Sequence, residues 1–107
     1  MGLTAELCQQ AGISVKRIGG LELIAASDAE GFIRAARARG VVILGIEGFR
    51  IQGSGVSPDM DAIADFSTLA DDNEGAAKSL QAADRFLSGA SRQDLYFDFT
   101  VKEGRAA

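Results

Sequence analysis

The spacing of hydrophobic and polar residues changes several times along the chain, and each spacing predicts an element. A first helix is predicted over residues 4–11, with Thr4 as its cap and Gly12 as its stop. Alternation of apolar and polar residues then predicts two strands, Ile13–Ile18 and Leu21–Ala25. The glycine pair between them is a turn signal, so the two strands are expected to form a hairpin.

A second helix is the element with the clearest pattern. Ser27 and Glu30 have the spacing of a capping box, and Gly40 is a typical helix stop, so the helix is predicted over residues 27–39. Its apolar face consists of residues at helical spacing: Ala29, Phe32, Ile33 and Ala36.

The middle of the chain predicts strands separated by glycine turns. Residues 41–46 form a continuous apolar run, which predicts an inner strand covered on both faces. Glu47 and Gly48 are interpreted as a turn or bulge, and residues 53–55 as a turn leading to a return strand at 56–59. Residues 60–69 fit both spacings, and we predict an extended segment or short strand that runs into a loop at 68–73.

A third helix and a final strand complete the pattern. The helix is predicted to open at residues 71–74, where carboxylates favour a helix N-terminus, and to end at Gly89. Its predicted inner face consists of Ala76, Ala77, Leu80, Ala83 and Leu87. Residues 94–101 alternate strongly and predict a strand with an apolar and a polar face, after which residues 103–107 are expected to fray.

The order of elements predicts the fold class. The order is α-β-β-α-β-β-(β)-α-β, without internal repeats. It predicts one α+β domain over residues 1–107, with a mixed or antiparallel sheet of about five strands and helices packed on one face. A chain of 107 residues has room for one domain.

Composition excludes several classes of chemistry. There is no histidine, which removes the commonest general base and metal ligand, and a single cysteine excludes an intramolecular disulfide or a multi-cysteine zinc site. Neither an apolar run of membrane-spanning length nor a signal peptide is recognised. We therefore expect a cytoplasmic protein without a cofactor, a metal or a membrane partner.

The distribution of charge is the most informative part of the composition. Residues 51–77 contain no Lys or Arg and six carboxylates: Asp59, Asp61, Asp65, Asp71, Asp72 and Glu74. Such a surface attracts a basic partner or a cation. Nucleic acid is not an expected partner, because binding it needs clustered positive charge that this chain lacks.

Two features suggest site chemistry. Asp59, Asp61 and Asp65 alternate as cation ligands do, but they lack the glycine and distal glutamate of an EF-hand and are equally typical of a solvated loop. Glu47 could lie near Asp59, Asp61 or Asp98 across the sheet and pair with one of them for acid and base catalysis, and the sequence does not show whether they meet. No catalytic or metal-binding residue is therefore predicted.

The last strand adds a second candidate surface. Tyr96 is the only tyrosine and lies on the polar face, beside Asp98, where it suits a binding hot spot. The predicted partner-binding residues are therefore these eight: Asp59, Asp61, Asp65, Asp71, Asp72, Glu74, Tyr96 and Asp98.

Residues 41–67, VVILGIEGFRIQGSGVSPDMDAIADFS, together with the final DLYFDFTV, resemble small immunity proteins of bacterial polymorphic toxin and contact-dependent inhibition systems. The resemblance covers about a third of the chain and implies a cytoplasmic α+β module without catalytic activity. Such a module protects the producing cell by binding a cognate toxin domain. An acidic surface suits inhibition of a nuclease, because carboxylates can mimic phosphates.

Two other functions stay open at this stage. One is a small enzyme or ligand-binding domain that uses Glu47 with Asp59, Asp61 and Asp65, with or without a divalent cation. The other is a homodimeric structural module that pairs its exposed sheet edge or face with a second copy.

Overall fold

The structure is a computed structural model that describes residues 2–69, 74–89 and 93–104. Within these residues the helices and strands alternate as one α+β domain. Their bounds are α1 Leu3–Ala11, β1 Lys16–Ile18, β2 Leu21–Ala25, α2 Ala26–Arg39, β3 Val42–Gln52, β4 Gly55–Asp65, α3 Gly75–Leu87 and β5 Tyr96–Lys102.

The strands form one five-stranded sheet in the order β1-β2-β5-β3-β4. Every neighbouring pair is antiparallel, which confirms the predicted fold class. The last strand of the chain, β5, is the middle strand of the sheet, between β2 and β3. The extra strand allowed for after the β3–β4 turn is part of β4, which continues to Asp65.

The helices cover one face of the sheet, and the core lies between them. Phe97 and Phe99 of β5 point into this core, where the ring of Phe99 stacks on that of Phe32 in α2 at 4.4 Å between centroids. The predicted inner face of α2 is buried in the same cluster, as are Leu80 and Ala83 of α3. The opposite face of the sheet carries none of these helices, and we call it the helix-free face.

Both predicted helix caps are wrong. Helix α1 begins at Leu3 without a side-chain cap, and Thr4 is buried in its first turn. Helix α2 begins at Ala26, directly after β2, and its first N–H donates to the carbonyl of Leu95 at 3.0 Å. Ser27 is therefore already inside the first turn of the helix and does not cap it.

Several element bounds also differ from the prediction. Strand β1 is short, because Ile13 and Val15 pack against the core before the ladder begins. The predicted start of α3 falls partly outside the described residues, which include neither Asp71 nor Asp72; the described helix begins after Glu74. On α3, Ala77 is exposed, while Ser79 takes a buried position.

Ser79 is buried because it completes a bulge in β3. The ladder between β3 and β5 shifts register between Ile43 and Gly45. The N–H of Ile43 donates to the Ser79 hydroxyl oxygen at 3.0 Å, and that hydroxyl donates to the carbonyl of Ala76 at 3.0 Å. The side chain thus satisfies a buried backbone donor that the bulge turns toward α3.

Replacing Ser79 with alanine should destabilise the fold by about 2 kcal/mol, because it leaves the buried N–H of Ile43 without an acceptor. Urea denaturation of both proteins measures the difference. Ser88→Ala is a suitable control, since the Ser88 hydroxyl bonds only to an exposed carbonyl of its own helix. Equal midpoints for Ser79→Ala and the parent would show that this bond does not stabilise the bulge.

Candidate functional site: the helix-free face of the sheet

The strand register gathers residues from three strands on the helix-free face. Phe97 and Phe99 face the helices, so their neighbours on β5 face the other way. Asp98 of β5 lies directly opposite Glu47 of β3, which in turn lies opposite Ile63 of β4. We call these three residues the acidic row. Side chains directly opposite in antiparallel strands stand about 4.5–5.5 Å apart at Cβ, so each can contact the next.

The two neighbouring rows give the acidic row its surroundings. On one side, Tyr96, Phe49 and Pro58 stand opposite one another across the same three strands. On the other side Gly45 lies between Thr100 and Asp65 and contributes no side chain. Carboxylate, aromatic and aliphatic groups therefore adjoin on one face.

Glu47 and Asp98 bring two carboxylates together on this face. Among the residues that the structure describes, no ion pair joins either carboxylate to a basic side chain. Burial raises the pKa of Asp98, and the nearby charges of Glu47 and Glu22 raise it further. Like charges opposite each other in a sheet are destabilising, so this pair opposes folding.

One cation beside this face, Lys16, contacts an aromatic ring. The Lys16 ammonium of β1 lies 5.5 Å from the centre of the Tyr96 ring, within the range of a cation–π contact. Tyr96 is half-buried under it and stands next to Asp98 along the polar face of β5. The predicted binding residue Tyr96 is therefore already in contact within the free protein.

Replacing Asp98 with asparagine should raise the melting temperature at neutral pH. The folded-state pKa of Asp98 lies above its usual range, so ionisation of this carboxyl costs the folded state more than the unfolded state. Below the usual carboxyl range both states are protonated and the variant gains nothing. Its advantage should grow as the pH rises through the folded-state pKa of Asp98.

Thermal unfolding of the parent and Asp98→Asn between acidic and neutral pH checks this dependence. The charged groups around Asp98 are Glu47 and Glu22, with Lys16 over the adjoining ring. Asp61→Asn, an exposed change on β4, is the control and should shift stability by no more than about 0.5 kcal/mol. A variant that is less stable than the parent at neutral pH would show that Asp98 makes a favourable contact.

Asp59 and Asp61 lie in a bulge of β4, between the acidic row and the row formed by Tyr96, Phe49 and Pro58. Glu47 pairs with Ile63 and Phe49 with Pro58, so residues 59–62 together stand opposite Gly48. One carboxylate oxygen of Asp59 accepts from the Asp61 N–H at 3.0 Å, and the other from the Arg50 guanidinium at 3.0 Å. With its side chain 17% exposed, Asp59 holds the bulge together, whereas Asp61 points to solvent.

The other predicted carboxylates that the structure describes, Asp65 and Glu74, lie on different elements. Asp65 lies on the helix-free face, where the hydroxyl and N–H of Ser67 bond its carboxylate and lower its pKa. Glu74 is at the start of α3. Asp71 and Asp72 lie outside the described residues. In the part of the chain that is described, no three acidic or cysteine side chains converge as metal ligands.

Strand β4 also carries the large apolar side chains that are most open to solvent in the described structure. Met60, in the bulge, is 75% exposed and Ile63, in the acidic row, is 47% exposed. Glu47 and Ile63 did not belong to the predicted binding set. Alternation along β3 and β4 could have placed both on a polar face, but only the register shows that they adjoin Asp98.

Other candidate groups are already in use. The Cys8 thiol is buried, and burial followed by the charge of Glu22 raises its pKa to about 11, so little thiolate exists at neutral pH. The arginines of α2 are each paired with carboxylates: Arg34 with Glu30, Arg37 with Asp84, and Arg39 with Glu6 and Glu103. None of the described helices has the length and apolar character needed to cross a membrane.

A cavity of about 770 Å³ lies between α2 and the end of α3. Ile33, Leu87 and Phe97 are among its lining residues. The paired side chains Arg37 and Asp84 also line it, so their charges largely cancel. It offers no cluster of unpaired polar groups comparable to the acidic row.

Comparison with protein-family models, with curated proteins and with solved structures finds no significant match to this chain.

Proposed function

We propose that this chain is a bacterial, non-enzymatic binding protein of the immunity type, acting in the cytoplasm of the producing cell. It neutralises a cognate toxin domain by offering acidic side chains to a basic surface. The observation that carries the proposal is the opposition of Glu47 and Asp98 on the helix-free face. Within residues 2–69, 74–89 and 93–104, no basic side chain is paired to either carboxylate.

The physical support is that this arrangement opposes folding but favours association. Two like charges held together destabilise the free protein, and a partner that supplies a cation removes the repulsion. The whole chain carries a formal net charge of −4, so the same field speeds encounter with a positively charged partner. A nuclease domain fits this description, because its phosphate-binding surface is basic.

One observation favours the alternative of a small enzyme. A carboxyl of raised pKa beside a second carboxyl is the arrangement that acid and base catalysis uses, and Asp98 beside Glu47 has it. The Asp cluster does not complete such a site, because Asp59 bonds to Arg50 and to the chain itself. Association is therefore the function that this geometry supports better.

Co-expression tests the proposal directly. We expect the neighbouring gene to encode a large modular toxin. Expression of the C-terminal domain of that toxin alone should arrest growth. Co-expression of this chain should restore growth, and the two products should co-purify as a complex that weakens as salt is added. Growth arrest that persists with the intact, folded chain present would remove the proposed function.

A further inference from the structure

We infer that the acidic row is the recognition site, and that its occupant is an arginine side chain of a basic, amphipathic partner segment that also places an apolar side chain on Ile63. The inference rests on the proposed binding function and adds where the partner binds and through which chemistry. It starts from the row formed by Asp98, Glu47 and Ile63.

The partner meets the face of the sheet rather than its edge at β4. Strand β4 is an edge strand, and such edges can accept an added strand. The bulge at residues 59–62 interrupts this edge, the Asp61 N–H is already bonded within the bulge, and Pro58 has no N–H to donate. A continuous added strand therefore has no ladder to follow.

An arginine side chain fits the carboxylates of Glu47 and Asp98 better than a lysine side chain does. Glu47 and Asp98 lie opposite each other on neighbouring strands. A single donor group placed above them can therefore donate to one carboxylate on each side. A guanidinium presents five N–H donors in a planar fork, whereas an ammonium is a point charge. The ring of Tyr96, next to Asp98 on β5, already contacts the Lys16 ammonium, so the two carboxylates supply the contact with the guanidinium.

The acidic row ends in an exposed apolar side chain, that of Ile63. Ile63 is 47% exposed, and it stands one strand beyond Glu47, so roughly 5 Å separates the apolar contact from the charged one. Residues three or four apart on a helix have a similar spacing. One face of a basic amphipathic helix can therefore reach both the carboxylate pair and Ile63. The side chain of Ile63 becomes buried when the partner binds.

A pair of labelled peptides tests the inference. The probe is a fluorescein-labelled amphipathic helical peptide. On one face of its helix every fourth residue is, in turn, an arginine or a leucine. The comparison peptide has lysine in place of each arginine. Fluorescence anisotropy at low salt measures affinity, and amide chemical shifts locate the contact. We expect saturable binding of the arginine peptide, several-fold tighter than that of the lysine peptide, with shifts at Glu47, Ile63 and Asp98.

Variants with equal charge change separate the row from general attraction. Glu47→Gln with Asp98→Asn should weaken the arginine peptide about tenfold. The control, Asp61→Asn with Asp94→Asn, removes the same charge from exposed positions outside the row and should change affinity less than about twofold. Ile63→Ser should also weaken binding, since it removes the apolar contact.

The outcomes distinguish this inference from the proposed function. Equal weakening by both double variants, or no saturable binding at all, overturns the acidic row as the recognition site. In the growth assay, Glu47→Gln with Asp98→Asn should lose protection while the control pair keeps it. A row variant that still protects overturns the inference and leaves the function standing, whereas a parent chain that fails to protect removes the function itself.

Discussion

Replacing Phe97 with alanine should destabilise the protein by about 3–5 kcal/mol, the range for removing a fully buried aromatic ring. Phe97 is 0% exposed and lies in β5, the middle strand of the sheet, where it pairs with Ile24 on one side and Gly48 on the other. Its ring contacts the rings of Phe86 and Phe99, at 6.3 and 6.2 Å between centroids. Alanine would leave a cavity between the sheet and the helices.

Equilibrium unfolding in urea, followed by circular dichroism, measures this loss. Thr100→Ala on the same strand is the control, because Thr100 is exposed and its replacement should change stability by no more than about 0.5 kcal/mol. A Phe97→Ala midpoint close to that of the control would mean that β5 does not pack against the helices as the structure has it.

The second large effect is expected at Gly48, where we predict that valine destabilises by about 3 kcal/mol. A Cβ at this position would stand 2.8 Å from the Cβ of Ala62 and 3.0 Å from Cδ1 of Leu95, closer than side chains approach. The β4 bulge causes this crowding, because it turns Ala62 into the core opposite Gly48. Valine adds two more methyl groups where no room exists.

Gly31 offers a matched control of opposite sign. It lies inside α2, and a Cβ there would meet the side chain of Ile13 at 3.6 Å, an ordinary contact. Gly31→Ala should therefore stabilise by about 0.5–1 kcal/mol through helix propensity. Thermal unfolding of both variants tests the pair, and a Gly48→Val protein as stable as its parent would contradict the close approach of β4 to β3.

The elements were predictable where one period runs for several residues. Phe97 and Phe99 alternate with polar neighbours in β5. In α2, apolar residues recur at helical spacing: Ala29, Phe32, Ile33 and Ala36. Local pattern alone therefore predicts both elements. The helix starts were not predictable, because Ala26 finds its acceptor on Leu95, a residue distant in the chain. Helix α2 begins at this contact with Leu95, and the capping motif predicted at Ser27 does not form.

The candidate site was predictable only in part. Tyr96 and Asp98 were recognised as the polar face of a strand, and Asp65 as part of the acidic stretch. The sequence shows Glu47 as a carboxylate but does not decide whether it lies near Asp59, Asp61 or Asp98. Strand register decides that choice, and register depends on bulges and turn geometry that the pattern of residues does not specify.

By itself, the sequence determined the α+β class, the two glycine-linked hairpins, the apolar faces of the helices and the excess of carboxylates after Ile51. These are local properties, because each follows from residues a few positions apart. The tertiary structure alone decided that β5 enters between β2 and β3, that Asp59 closes a bulge, and that Glu47 faces Asp98. Each of these needs contacts between distant parts of the chain, which form only when burial of the shared core holds the strands together.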